Sequence, residues 1–247
     1  MMKAVENALL IAWMKFYPDF RRQPYVMITQ AGISAGPLFF ILFSGSTSAF
    51  HNGIVGAMIS VVSFLGLTSA IHDVAQDRYI KVREIVAAMP VHPMSYALGV
   101  ALAPLLASVP GLICFMALAI WLGLVSLSSI GLIVAALVLS WLSISMIGFT
   151  ISTYLTKVPP FMLNSMSHLL SLGLVFVPPV YYSESILGTF SWVSYVFPTS
   201  NAASLIRGHL GLSSLPFESI IIHWLILIGT VIAFSLLASF KARWREK

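Results

Sequence analysis

Two long tracts without a formal charge set the limits on what this chain can fold into. Residues 23–72 and 85–156 contain no Asp, Glu, Lys or Arg. Between them lies one charged island carrying Asp73, Asp77, Arg78, Lys81, Arg83 and Glu84. A soluble core does not need uncharged tracts of that length, whereas about 20 apolar residues suffice to cross a bilayer as a helix. Each tract is long enough to pass through hydrocarbon more than once, and the island between them must surface in water.

Composition agrees. The chain is 59% hydrophobic and 9% charged, with a mean hydropathy of +0.96, which is the profile of an integral membrane protein. Backbone amides cannot stay unpaired in lipid, so the choice is between helices and a closed barrel. The apolar runs are continuous rather than alternating, which selects helices. The expected fold is an all-α membrane protein forming a single domain over 1–247. The lone Cys114 permits no intrachain disulfide. Residues 1–22 mix Lys3, Glu6, Lys15, Asp19, Arg21 and Arg22, which does not resemble a cleavable signal peptide.

In chain order, residues 4–20 are too charged and too short to span. Val5, Leu9, Trp13, Phe16 and Phe20 fall near one helical face, and Lys15 and Asp19 on another. This pattern predicts an interfacial amphipathic helix ended near Pro18. Six spans are then expected at about 25–43, 53–71, 94–122, 130–155, 161–177 and 219–240, with Pro104 and Pro110 inside the third. The uncharged segment 185–206 is rich in Ser, Thr and Asn and is interrupted by Pro198. It reads as two short helices re-entering the outer leaflet rather than as a seventh span. With six spans, twelve of the thirteen Lys and Arg residues fall on one side and only Arg207 on the other. The positive-inside rule then places both termini and the island in the cytoplasm, in a multi-pass protein of the plasma membrane. The same distribution accounts for the net charge of +5 without nucleic acid as a partner. Tyr181, Tyr182, Trp192, Tyr195 and Trp121 suit an outer aromatic belt, and Trp13 and Trp244 an inner one.

Several functions are disfavoured. A Walker A loop needs a Gly-Lys pair so that backbone amides and a lysine surround the phosphates, and no lysine here follows a glycine. No Asp, Glu, Lys or Arg lies well inside a span, where ion-coupled carriers keep theirs; only His168 and His223 do. No pair of acids falls within the expected spans, so no catalytic residue is assigned. His51, His72, His92 and His209 show no metal-ligand spacing, so no metal site and no cofactor on this chain are expected.

The island itself predicts a short amphipathic helix over 73–89. Asp73 can cap its N-terminus, Asp77 and Lys81 can pair at i,i+4, and Tyr79, Val82, Val86 and Met89 share a face. Such an element is either a docking device for a partner or an ordinary solvated loop.

The run REIVAAMPVHPMSYALGV at 83–100 resembles the segment after the second span of ABC-2 type transporter permeases. There a Glu, an apolar pair, a Pro-containing turn and a small-residue helix start recur in this order. FSWVSYVFPTSNAASLIRG at 190–208 is similar to that family's segment before its last span, with Trp192, Pro198, Asn201 and Arg207 in place. The resemblance implies the membrane half of an ABC exporter, dimerising with a second permease copy and driven by two copies of an ABC-type ATP-binding subunit. ATP and magnesium would sit on that partner. It also implies that 73–89 is the coupling helix, using Asp73, Asp77, Arg78, Lys81, Arg83 and Glu84, and that 185–206, after Glu184, holds the re-entrant outer helices. The substrate expected of an uncharged path is amphiphilic: a drug, a lipid or a lipid-linked glycan. Asn164 and His168, one turn apart, are candidates either for that path or for hydrogen bonds to neighbouring helices. Gly32 and Gly36 form a Gly-x-x-x-Gly suited to close helix contact, within the chain or across a dimer seam. The rival readings are a polytopic intramembrane enzyme acting on lipid and an energy-independent scaffold or channel subunit.

Overall fold

Residues 2–22, 25–79, 93–155 and 157–241 are described by the structure, a computed structural model. Among them every regular element is helical: α1 (Met2–Arg22), α2 (Tyr25–Phe43), α3 (Thr47–Tyr79), α4 (Pro93–Trp121), α5 (Ile130–Tyr154), α6 (Pro160–Phe176), a 3-10 helix (Glu184–Phe190), α7 (Val193–Val196), α8 (Pro198–His209) and α9 (Phe217–Lys241). Four are long and apolar enough to cross a membrane, over Thr47–Asp77, Ser95–Trp121, Ile130–Tyr154 and Phe217–Ala238. Two apolar helices are shorter, Ala31–Phe43 within α2 and Pro160–Phe176.

The bundle is built around α3. Nine-tenths of its most apolar stretch is buried (94%), against 11% for α9. Helices α2, α4, α5 and α6 surround it, and α8 lies over part of it. In lipid there is little hydrophobic drive for helices to associate, so small residues and interhelical hydrogen bonds carry the contact. The α3–α5 and α5–α9 contacts follow that rule. Ser63, Ser140, Ser143, Ser145 and Ser152 are buried. Ser152 Oγ donates to Ile71 O at 3.3 Å and Ser143 Oγ to Leu227 O at 3.4 Å.

Two apolar clusters define the ends of the bundle. At one end Val74 of α3, Tyr96 of α4, Phe149 of α5 and Ala238 of α9 pack together with Ile11 of α1. At the other, Leu38, Ile54, Ala119, Ile133, Tyr181 and Leu205 belong to the large cluster. Helix α1 and the end of α9 therefore lie at the same end.

Three expectations are corrected. Helix α1 continues through Pro18 to Arg22 instead of ending there. Helix α3 begins at Thr47 and runs unbroken to Tyr79, so Asp73 lies inside a helix and does not cap a new one. Local helix propensity across 72–79 simply extends the span, and nothing there breaks it. In the 185–206 region the chain forms three short elements, not two, and Pro198 opens α8 instead of interrupting a helix. Proline suits the first helical turn because its missing N–H has no intrahelical partner there. The 3-10 segment is broken at Gly188, whose φ of 51° is open to glycine at no steric cost. Residues 80–92, which hold the rest of the expected 73–89 helix, lie outside the described residues.

Candidate functional site

Polar side chains gather at the two ends of α3. At the end shared with α1, Asp77 is buried. Lys15 Nζ lies 3.0 Å from its Oδ1 and 2.9 Å from its Oδ2, and Tyr96 Oη donates a hydrogen bond to Oδ2. Three elements, α1, α3 and α4, are thereby locked to one carboxylate. A buried carboxylate is tolerable only when paired and hydrogen-bonded, and here both conditions hold.

Local sequence explains how Lys15 reaches so far in. Ala8, Ile11, Ala12 and Lys15 recur at helical spacing, and Ala8 and Ala12 are buried. They seat α1 against α4 where Gly99 leaves room. A Cβ on Gly99 would lie 2.7 Å from Ile11 Cβ and 2.9 Å from Ala8 O. The larger apolar side chains of α1, including Val5, Leu9, Trp13 and Phe20, point away from the bundle and stay exposed.

Among the described residues Asp77 pairs with Lys15 and Tyr96. Arg78 is placed as a residue of α3, with its side chain outside the description. Lys81, Arg83 and Glu84 lie outside the described residues. Asp73 stands one turn before Asp77 on α3, partly buried.

At the far end the chain folds back over α3. Gly56 of α3 meets Tyr181 so closely that an added Cβ would sit 2.9 Å from Tyr181 Cα. Tyr181 is buried, stacks on Phe176 at 5.5 Å, and donates through its hydroxyl to Ser34 O at 2.9 Å. This tyrosine, expected in a surface belt, instead joins α2, α3 and α6. Burial pushes its phenol up to about 12, opposed by a hydrogen bond from Ser60.

Beside it lies a connected polar platform. Arg207 is buried on α8, with Nη1 donating to Pro179 O at 2.8 Å and Nη2 to Val180 O at 2.6 Å. Burial lowers its pKa to about 10, against which the neighbouring Glu184 and Tyr182 act. At neutral pH it therefore remains a cation. Glu184, in the 3-10 helix, accepts a hydrogen bond from Ser204 Oγ one turn before Arg207. Burial raises the Glu184 carboxyl, and Arg207 opposes that rise.

Asn201 closes the platform against α9. Its Nδ2 donates to Phe197 O at 2.7 Å and Tyr195 O at 3.1 Å, so Oδ1 is left as acceptor for His223 Nδ1 at 2.7 Å. That assignment places the His223 proton on Nδ1. The imidazole also stacks on Tyr195 at 4.9 Å, with the two ring planes nearly parallel at 4°. Of the residues singled out from sequence in this region, Glu184, Pro198, Asn201 and Arg207 come together. Trp192 stays exposed. His223 and Tyr195 were not expected here; a histidine and an asparagine 22 positions apart carry no local signal.

The remaining candidates join neither group. His168 lies on an exposed face of α6, its ring 5.9 Å from that of Phe64, and Asn164 is partly buried one turn earlier. A Cβ on Gly32 or Gly36 would meet nothing within 4 Å, so the intrachain packing suggested by their spacing is not made among the described residues. No group of three or more potential metal ligands occurs among the described residues.

No protein-family model matches the chain, and no curated protein sequence matches it either.

Proposed function

We propose that the chain is the membrane-spanning permease subunit of an ABC-2 type exporter, driven by separate ATP-hydrolysing subunits. The observation that carries this reading is the continuity of α3. One unbroken helix, Thr47–Tyr79, has the Lys15–Asp77–Tyr96 group at one end and the Tyr181 contact at the other. The charged island begins in the last turns of that helix, at Asp73 and Asp77. A partner that pushes on the island pushes on α3, α1 and α4 together. The displacement would reach the far end at Gly56, where the Tyr181–Arg207 platform would open or close. A ligand shifts such an equilibrium only through different affinities for the two states, and ATP closing a pair of partner subunits supplies that difference.

In this reading α2 to α6 and α9 all cross the bilayer. The Lys15–Asp77 end faces the cytoplasm together with both termini, and the Arg207 platform lies in the outer leaflet. Two copies would pair through faces left uncovered within one chain, among them Gly32, Gly36 and the His168 face of α6. The substrate is amphiphilic, since the spans carry little formal charge. The polar clusters sit at opposite ends of α3 rather than at one depth, which favours this reading over intramembrane catalysis.

The test is reconstitution with an ATP-binding cassette subunit encoded beside this chain. Stable co-purification, with ATPase activity that rises in the presence of amphiphilic compounds, is expected. A cassette subunit that neither binds nor responds would end the proposal.

A further inference from the structure

Along the flank of α1, beside its seam with α4, runs an apolar groove of about 760 Å³. Leu9, Leu10 and Trp13 line it from α1, and Leu102 and Leu106 from α4. Glu6 is the one charged residue among the described residues lining it. The groove cannot be closed by rolling α1 inward. Lys15 is held by Asp77 on the opposite face, and the Gly99 contact leaves no room to shift. Leu9, Leu10 and Trp13 therefore remain more than half exposed, at 57%, 54% and 56%.

The depth of the groove says what covers it. Helix α4 is one of the four long enough to cross a membrane and ends at Trp121, which is 81% exposed. Counting back about 20 residues, the length that crosses a hydrocarbon core, places Leu102 and Leu106 in the last turns at the α1 end. The groove thus sits where acyl chains meet headgroups. Its apolar lining suits an acyl chain, and Glu6 within that lining suits a cationic headgroup.

We infer that this groove holds one membrane phospholipid of the amine-headgroup class. Its acyl chain lies along Leu9, Trp13, Leu102 and Leu106, and its ammonium pairs with Glu6. Because α1 is tied to Asp77, occupancy of the groove bears on the same end of α3 that carries the charged island. The inference does not depend on the transport reading, since it concerns lipid bound to the resting membrane protein.

The experiment uses the full-length protein in phosphatidylcholine vesicles doped with phosphatidylethanolamine or phosphatidylglycerol carrying brominated acyl chains. The Trp13 signal is isolated as the difference between the wild type and Trp13→Phe. Quenching of Trp13 is expected at a roughly two- to five-fold lower mole fraction of the amine lipid, the preference an exposed ion pair provides. Glu6→Gln should erase that preference while leaving quenching itself in place. As a second readout, mass spectrometry of lipid retained through detergent exchange should show the amine lipid enriched on the wild type and not on Glu6→Gln. Equal quenching by both lipids, stronger quenching by the anionic one, or no quenching of Trp13 would each overturn the inference.

Discussion

Asp77 joins α1, α3 and α4 at one end through Lys15 and Tyr96. Removing one partner of a buried ion pair strands the other, whereas replacing both with apolar groups is often close to neutral. Lys15→Met and Asp77→Leu should therefore each lower the thermal midpoint of the detergent-solubilised protein. The double variant should recover much of the loss, with a coupling energy of roughly 0.5–3 kcal/mol. Additive losses would show that the pair is not a unit.

Glu184 offers a pH-dependent counterpart at the other end. Its carboxyl is raised in the folded protein by burial, so the folded state holds the proton more tightly than the unfolded one. Its contribution to stability is then fully present below the unfolded value and is lost as pH rises through the folded value. His209 on α8 is shifted the opposite way, down by burial, and works against it in acid. The comparison must therefore be between the wild type and Glu184→Gln. The wild type should gain thermal stability relative to that variant as pH falls from neutral toward the ordinary carboxylate range. A constant difference would mean that Glu184 does not titrate in this window.

At the scale of elements, the close approaches decide how helices are placed. A methyl group on Gly99 would meet Ile11 Cβ and the Ala8 carbonyl, neither of which can swing away as a flexible side-chain end can. Gly99→Ala should thus displace α1 at a cost of about 1–3 kcal/mol, the usual range for overpacking. It should also weaken the Lys15–Asp77 contact. A cysteine pair across α1 and α4 that cross-links in the wild type but not in this variant would register the displacement, and unchanged cross-linking would count against it. Ala8, Ile11, Ala12 and Gly99 carry the same logic as the buried serines between α3 and α5. Where lipid replaces water, proximity of backbones takes over part of the work that apolar burial performs in soluble proteins.

For the whole molecule, the two-ended arrangement around α3 leads to one test of coupling. On the proposed permease reading, Glu84 of the charged island is the candidate docking charge. Glu84→Lys is expected to leave the protein inserted and folded while weakening association with an ATP-binding partner, by roughly 2–5 kcal/mol if that charge is desolvated on docking. Normal assembly and coupled ATPase activity in this variant would remove Glu84 from the docking surface. A reporter fused after Lys247 should be active only in the cytoplasm; activity outside the cell would reverse the proposed orientation.

What the amino-acid order determined by itself is the all-helical class and the rough limits of several helices. The limits expected at 25–43, 130–155 and 161–177 lie within a residue or so of α2, α5 and α6, because uncharged apolar runs closed by polar, Pro or Gly residues leave the backbone few alternatives in lipid. Pro198, Asn201 and Arg207 were legible as a group because they share one short stretch of chain, whereas Glu184 joins them through Ser204. What the tertiary structure decided is every partnership between distant positions. Lys15 looked like a solvated lysine, and Asp77 like one half of a local pair with Lys81; 62 residues apart, they meet because Ala8, Ala12 and Gly99 let α1 lie close to α4. Tyr181 looked like a belt residue, and Gly56 drew it into the core. His223 gained Asn201 and Tyr195 only when α9 came to lie beside α8. Periodicity and hydropathy act over a helical turn or a bilayer thickness, whereas these contacts depend on which small residues allow two backbones to approach, and that is settled only when the helices assemble.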